Sequence, residues 1–160
     1  MPMFGINNGM VPIVAYNYGA GKKQRILDAA KYAQIYATVI LMLGLLVFEV
    51  FPGWVLGLFD ASDHMLEIGI PALRIICTSY VFASYCIVSG SFFQALGNSV
   101  YSLIMSFARQ LVVLVPAAYL LSLSGNLTLV WLSYPIAEII SVTLCVLFRR
   151  RIVREKLKDL

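Results

Sequence analysis

Charge is what this sequence has least of. Lysine, arginine, aspartate and glutamate make up 12% of its 160 residues, about half of what a soluble domain carries. Histidine occurs once, at His64 in a short loop, which excludes a histidine-based metal site. The three cysteines, Cys77, Cys86 and Cys145, are an odd number and all fall inside apolar runs. That excludes a disulfide framework or a cysteine metal site and leaves them as small packing residues. No apolar run carries paired carboxylates, a histidine cluster or an activated nucleophile, which argues against a membrane enzyme. A secretory signal peptide is also missing: Met1–Tyr18 has no basic n-region and no small-residue cleavage site.

What is present is hydrophobicity, 61% of the chain, arranged in four long runs: Tyr32–Phe51, Ile68–Phe93, Val100–Leu121 and Leu127–Phe148. Each is long enough to cross about 30 Å of hydrocarbon at about 1.5 Å per helical residue. The expected fold is an all-α integral membrane helical bundle with four full transmembrane helices and the end of a fifth. Met1–Tyr18 is interrupted by Gly5, Gly9 and Pro12 and reads as the last turns of a helix whose beginning lies elsewhere, so a piece of a longer protein is expected. Gly19 or Gly21 can take the left-handed conformation that closes that helix. Gly21-Lys22 is no phosphate loop, because Tyr16 and Lys23 stand where glycine and serine or threonine are required. Lys22–Gln34 reads as an amphipathic helix at the membrane surface, with Ile26, Leu27 and Ala30 on one face. Trp54 and Trp131 suit the membrane interface.

The net charge of +4 sits in two clusters beside the runs. It is no nucleic-acid footprint, and the natural counter-charge is anionic lipid headgroups of the bilayer. Segment Gly19–Lys31 carries Lys22, Lys23, Arg25 and Lys31 against Asp28 alone. The end of the chain carries Arg149, Arg150, Arg151, Arg154, Lys156 and Lys158. Segment Pro52–Glu67 carries Asp60, Asp63 and Glu67 and no lysine or arginine. Cytoplasmic loops are enriched in lysine and arginine, so both basic segments are expected inside, with four crossings between them. The C-terminus is then cytoplasmic.

Ionisable residues within spans face the bundle or a wet cavity. Glu49 and Arg74 lie near the outer ends of their runs and are expected to pair with each other or with Glu67. Arg109 and Glu138 are deeper. Each lies about 12 residues, roughly 18 Å, from the outer turn Ser122–Asn126, so consecutive antiparallel helices would hold them at one depth. Two readings stand side by side: a structural ion pair, or a Glu138 that takes up a proton or cation. Pro135 could kink its helix beside Glu138. The second run has a polar middle, from Thr78, Ser79 and Tyr80 through Ser84 and Tyr85 to Ser89, Ser91 and Gln94. Small hydroxyls pack helices in membranes. Together with Asn7, Asn8 and Asn17 they could equally line a water-accessible cavity. The candidate cavity or coupling residues are therefore Asn8, Asn17, Tyr80, Tyr85, Gln94 and Glu138.

Four stretches together resemble the C-terminal part of a multidrug and toxic compound extrusion (MATE) transporter. They are Asn8-Gly9-Met10-Val11-Pro12 with Tyr16-Asn17-Tyr18-Gly19-Ala20-Gly21-Lys22; Leu73-Arg74-Ile75 with Ser89-Gly90-Ser91-Phe92-Phe93-Gln94-Ala95-Leu96-Gly97-Asn98; Arg109-Gln110 with Pro116; and Trp131-Leu132-Ser133-Tyr134-Pro135-Ile136-Ala137-Glu138 before the arginine-rich end. The resemblance implies twelve spans in two six-helix lobes. Residues 1–148 would be the end of span eight and spans nine to twelve of one lobe, and 149–160 a basic cytoplasmic tail. It implies export of small organic, often cationic, compounds across a bacterial inner membrane in exchange for Na⁺ or H⁺, with no cofactor. The N-terminal lobe would be the partner. Some members of the family carry an acid in the middle of span ten for cation coupling. That stretch here reads Val81-Phe82-Ala83-Ser84, so coupling is expected to use an acid elsewhere, in the N-terminal lobe. The alternatives are a related flippase for lipid-linked oligosaccharides or polysaccharides, and a small membrane protein that assembles other subunits.

Overall fold

The computed structural model describes residues 2–158, and among these every regular element is a helix. Helix α1 (Pro2–Gly19) runs unbroken through Pro12. It closes on Gly21, which takes a φ of +67°. Lys22 N–H donates to the Asn17 carbonyl and Gly21 N–H to that of Tyr18, the paired bonds of a Schellman stop. Gly19 stays helical. The chain reverses at once into α2 (Lys23–Val50).

The separate surface helix expected over Lys22–Gln34 does not exist, because α2 is one 28-residue helix. Ile26 and Ala30 are fully buried and Ala33 and Ala37 continue the same stripe. The i, i+4 spacing therefore carries the apolar face from the basic segment straight into the span. Short α3 (Pro52–Gly57) and a turn at Asp60 lead to α4 (Asp63–Cys77), whose first turn Ser62 caps by accepting from Met65 N–H.

The second run is also different from expectation. It is two helices, α4 and α5 (Tyr80–Ala95), bent by 55° at Thr78-Ser79. Carbonyls that the bend frees find hydroxyls. Thr78 donates to Ile75 O at 2.6 Å and Ser79 to Ile76 O at 2.5 Å. In hydrocarbon such substitution is what makes a break tolerable. Thr78 and Ser79, which read as packing or cavity lining, thus serve the backbone at the bend.

After a second Schellman turn at Gly97 (φ +74°), the third run is α6 (Ser99–Phe107), a π-helical segment (Ala108–Leu114) and α7 (Val115–Ser122) in one continuous rod. Asn126 caps the short α8 (Leu127–Trp131) by accepting from Thr128 N–H at 2.9 Å, and α9 (Ser133–Lys156) follows. Pro135 falls in the first turn of α9, directly after the interruption at Leu132 that separates α8 from α9. Lys23–Val50, Ser99–Ser122 and Leu127–Lys156 are long and apolar enough to cross a membrane, and the bent α4–α5 pair makes a fourth candidate.

Helix α5 is the hub, packed against α1, α2, α6 and α9. Its buried face is Ser84, Cys86, Val88, Ser89, Phe92 and Phe93, small enough at its start for close approach of neighbours. The main apolar core gathers at one end of the bundle, where Val14, Ile26, Phe92, Phe93, Ile152 and Leu157 are all fully buried. Ile152 and Leu157 belong to the basic end of the chain. Helix α9 does not stop at Phe148 but continues to Lys156 with its apolar side packed.

Candidate functional site

The decisive local feature is the π segment. Val115 N–H donates to Gln110 O, an i to i−5 bond. Pro116 explains why the turn widens there. In a regular α-helix its ring would press on the Val112 carbonyl and leave it without a donor. A π-turn takes up one extra residue. It also fixes how Arg109, inside the segment, faces α9.

Arg109 Nη1 donates to Glu138 Oε1 at 2.8 Å. Glu138 is 9% exposed. Its other oxygen, Oε2, is buried without a hydrogen-bond partner. Arg109 is the looser partner, with 35% of its side chain exposed.

Two cavities, each with polar side chains in its wall, meet at this bridge. One, of about 240 Å³, is lined by Ser79, Tyr80, Arg109, Gln110, Tyr134 and Glu138. The other, of about 150 Å³, is lined by Asn7, Gln94, Ser102, Ser106, Arg109 and Ser141. Arg109 belongs to both walls and Glu138 to the first alone. In the second chamber Asn7 Oδ1 and Ser141 Oγ are buried and unpartnered, while Gln94 donates to Ser102 at 3.1 Å.

The candidate residues thus separate. Tyr80 and Glu138 share the first chamber, and Gln94 lies in the second. Asn8 is exposed, and its neighbour Asn7 reaches the second chamber instead. Asn17 is buried one helix face away. It donates to Ile13 O at 2.8 Å and lines an apolar groove between α1 and α2. Tyr85 lies under the Arg149 guanidinium, 5.4 Å from its ring centroid, and so anchors the basic end of α9. A further cluster joins α2 to α5: Gln34 Nε2 to Thr38 Oγ1 at 3.1 Å, and Thr38 Oγ1 to Ser84 Oγ at 3.2 Å. Sequence reasoning missed it, since Gln34 and Thr38 are 50 and 46 residues from Ser84. Glu49 and Arg74 stand 3.8 Å apart, the arginine exposed and the glutamate half-buried, so their bond is a weak interfacial one. Glu67 instead stands 3.8 Å from His64.

The MatE family model matches residues 1–120. The chain belongs to the MatE family. Solved structures of transporters share its fold over nearly the whole chain. The MATE multidrug transporter DinF-BH is 32% identical, with a TM-score of 0.87 over 98% of this chain. A multidrug resistance MATE family transporter of the MOP superfamily matches in its inward-facing conformation (24% identity, TM-score 0.89) and in its outward-facing conformation (25%, 0.89), each over 99% of the chain. A MOP superfamily transporter from Pyrococcus furiosus is 24% identical, with a TM-score of 0.87 over 96% of this chain. The chain spans 35–37% of the length of these structures. No curated protein matches the sequence. This MatE chain is a multi-pass membrane protein of a transporter family, and its members are carriers rather than enzymes.

Proposed function

We propose that this MatE chain forms the end of span eight and spans nine to twelve of a twelve-span secondary transporter. In this reading it exports small organic, often cationic, compounds in exchange for Na⁺ or H⁺, with the N-terminal lobe as its partner. Residues 149–160 are the basic inner-surface end, and the C-terminus faces the cytoplasm of a bacterium. One observation carries the reading. The chain overlays an inward-facing and an outward-facing transporter equally well, at a TM-score of 0.89 over 99% of its length. A piece that fits both states behaves as a single rigid unit, as alternating access by rocking lobes demands. Span ten offers no acid at Val81-Phe82-Ala83-Ser84. The coupling carboxylate therefore lies elsewhere, in the N-terminal lobe or at Glu138, the buried acid among the described residues.

The test is export of a fluorescent organic cation from cells. Cells making the full-length protein should lower their dye content relative to an empty vector. Cells making residues 1–160 alone should insert the chain and export nothing, because rocking needs two lobes. Export by the 160-residue chain alone, or none by the full-length protein, overturns the reading.

A further inference from the structure

The two chambers are not equivalent, because Glu138 lines the larger one alone. Its Oε2 is buried and has no hydrogen-bond partner. A bare carboxylate oxygen in a low-dielectric site is costly. A proton removes the cost, because the neutral carboxyl becomes an O–H donor. At about 240 Å³ the chamber has ample room for the water that would deliver it.

Arg109 has its own alternative. Its guanidinium offers five N–H donors. One binds Glu138, and the smaller chamber holds two bare acceptors, Asn7 Oδ1 and Ser141 Oγ.

We infer that Glu138 is a proton-binding site filled from the larger chamber, and that Arg109 is its mobile counter-charge, moving to Asn7 and Ser141 when the proton arrives. The site deepens the transporter proposal and rests on it for its use. In the step, hydronium in the chamber gives its proton to Oε2 and leaves water. The carboxylate becomes neutral, and the charge attraction across 2.8 Å falls to an ordinary hydrogen bond. Arg109 keeps its charge throughout. Loss of the proton to water reverses each change.

No other formal charge competes. The ionisable groups facing Glu138 are Arg109 of the π segment, Tyr80 and Cys86 of α5, and Tyr134 on α9 itself. From α4, Arg74 is turned to Glu49, while Asp63, His64 and Glu67 lie at the exposed start of that helix. Helix α6 offers only Tyr101, which packs on Phe148. Tyr119 of α7 is exposed, and α8 has no ionisable residue.

The test is pH-titrated infrared difference spectroscopy of the full-length protein in lipid bilayers. Acidification should produce the C=O stretch of a protonated carboxyl group that is missing in Glu138→Gln. Where Glu138→Gln does not fold, the pair Arg109→Met with Glu138→Gln, which leaves no lone charge, replaces it. Arg109→Met should move the midpoint of the band by about one pH unit or more. Asn7→Leu with Ser141→Ala, which removes the acceptors waiting for Arg109, should move it the opposite way. An undiminished band without Glu138 sinks the proton site, and an unmoved midpoint in the Asn7/Ser141 variant sinks the relocation. Export separates the two proposals. Full-length protein that exports without a Glu138 band keeps the transporter reading and loses this one. A Glu138 band without export does the reverse.

Discussion

At the scale of single residues, Glu138 and Arg109 are buried unequally, so the cost of separating them lies between two known cases. Breaking a fully buried pair costs about 3–5 kcal/mol, and an exposed pair is worth about 1 kcal/mol or less. Here the glutamate side chain is 12% exposed and the arginine side chain 35%. Glu138→Gln should cost less than Arg109→Met, because Arg109 is the more exposed partner and keeps other acceptors within its cavity, whereas Arg109→Met leaves the more buried carboxylate without its counter-charge. The double variant should recover most of either loss. Thermal unfolding of detergent-purified full-length protein bearing each change and both would show it, and strictly additive losses would mean that the two do not interact. The depth of both residues is legible in the sequence, since each lies about 12 residues, roughly 18 Å, from one turn. Which glutamate oxygen is bare, and that Asn7 rather than Asn8 reaches a chamber, is not. Those facts depend on helix rotation, and neighbouring residues on a helix point about 100° apart.

Among the helices, two irregular elements make the site, and the sequence advertises them unequally. Pro116 is visible, but a proline can kink, break or widen a helix. Only the Val115–Gln110 bond shows that it widens this one. The bend at Thr78-Ser79 has no proline nearer than Pro71 and is hidden inside a continuous apolar run. Run length reports that a segment can span the bilayer, and it is blind to a break that serines and threonines have repaired. The three long apolar helices, and the run that became the bent pair, were legible for the same reason, since length and apolar content are properties of segments and need no partner. Replacing the proline tests the link from element to site. Pro116→Ala restores an N–H for Val112 O and allows the regular pattern to return. Loss of the extra residue's turn would rotate Arg109 by about 100° away from α9. The coupling between positions 109 and 138, measured by the same stability cycle in a Pro116→Ala background, should fall to about 0.5 kcal/mol or less, the level of independent sites. Undiminished coupling would show that α9, and not the π segment, sets the bridge.

For the whole molecule, charge and packing point to one end. Ile26 from the first basic segment and Ile152 and Leu157 from the last are buried in the same apolar core. The lysines and arginines around them therefore emerge together. Arg149 is further held over Tyr85 and Phe92, at 5.4 and 5.5 Å. The acidic segment with Asp60, Asp63 and Glu67 lies across the bundle, at the far end of α2. A membrane that holds its anionic lipids and its positive-inside bias on the cytoplasmic face would orient such a molecule one way. Single cysteines at Ser62, Lys23 and Lys156 read that orientation directly. The background is low, because Cys77, Cys86 and Cys145 are all buried, at 0, 7 and 0% exposure. A membrane-impermeant thiol reagent added to intact cells should label Ser62→Cys. It should reach Lys23→Cys and Lys156→Cys only after the membrane is opened. Labelling of either basic position in intact cells, with none at position 62, would invert the molecule. The larger chamber of the Arg109–Glu138 bridge, on the side of Tyr134 and the outer turn, would then draw its protons from the cytoplasm.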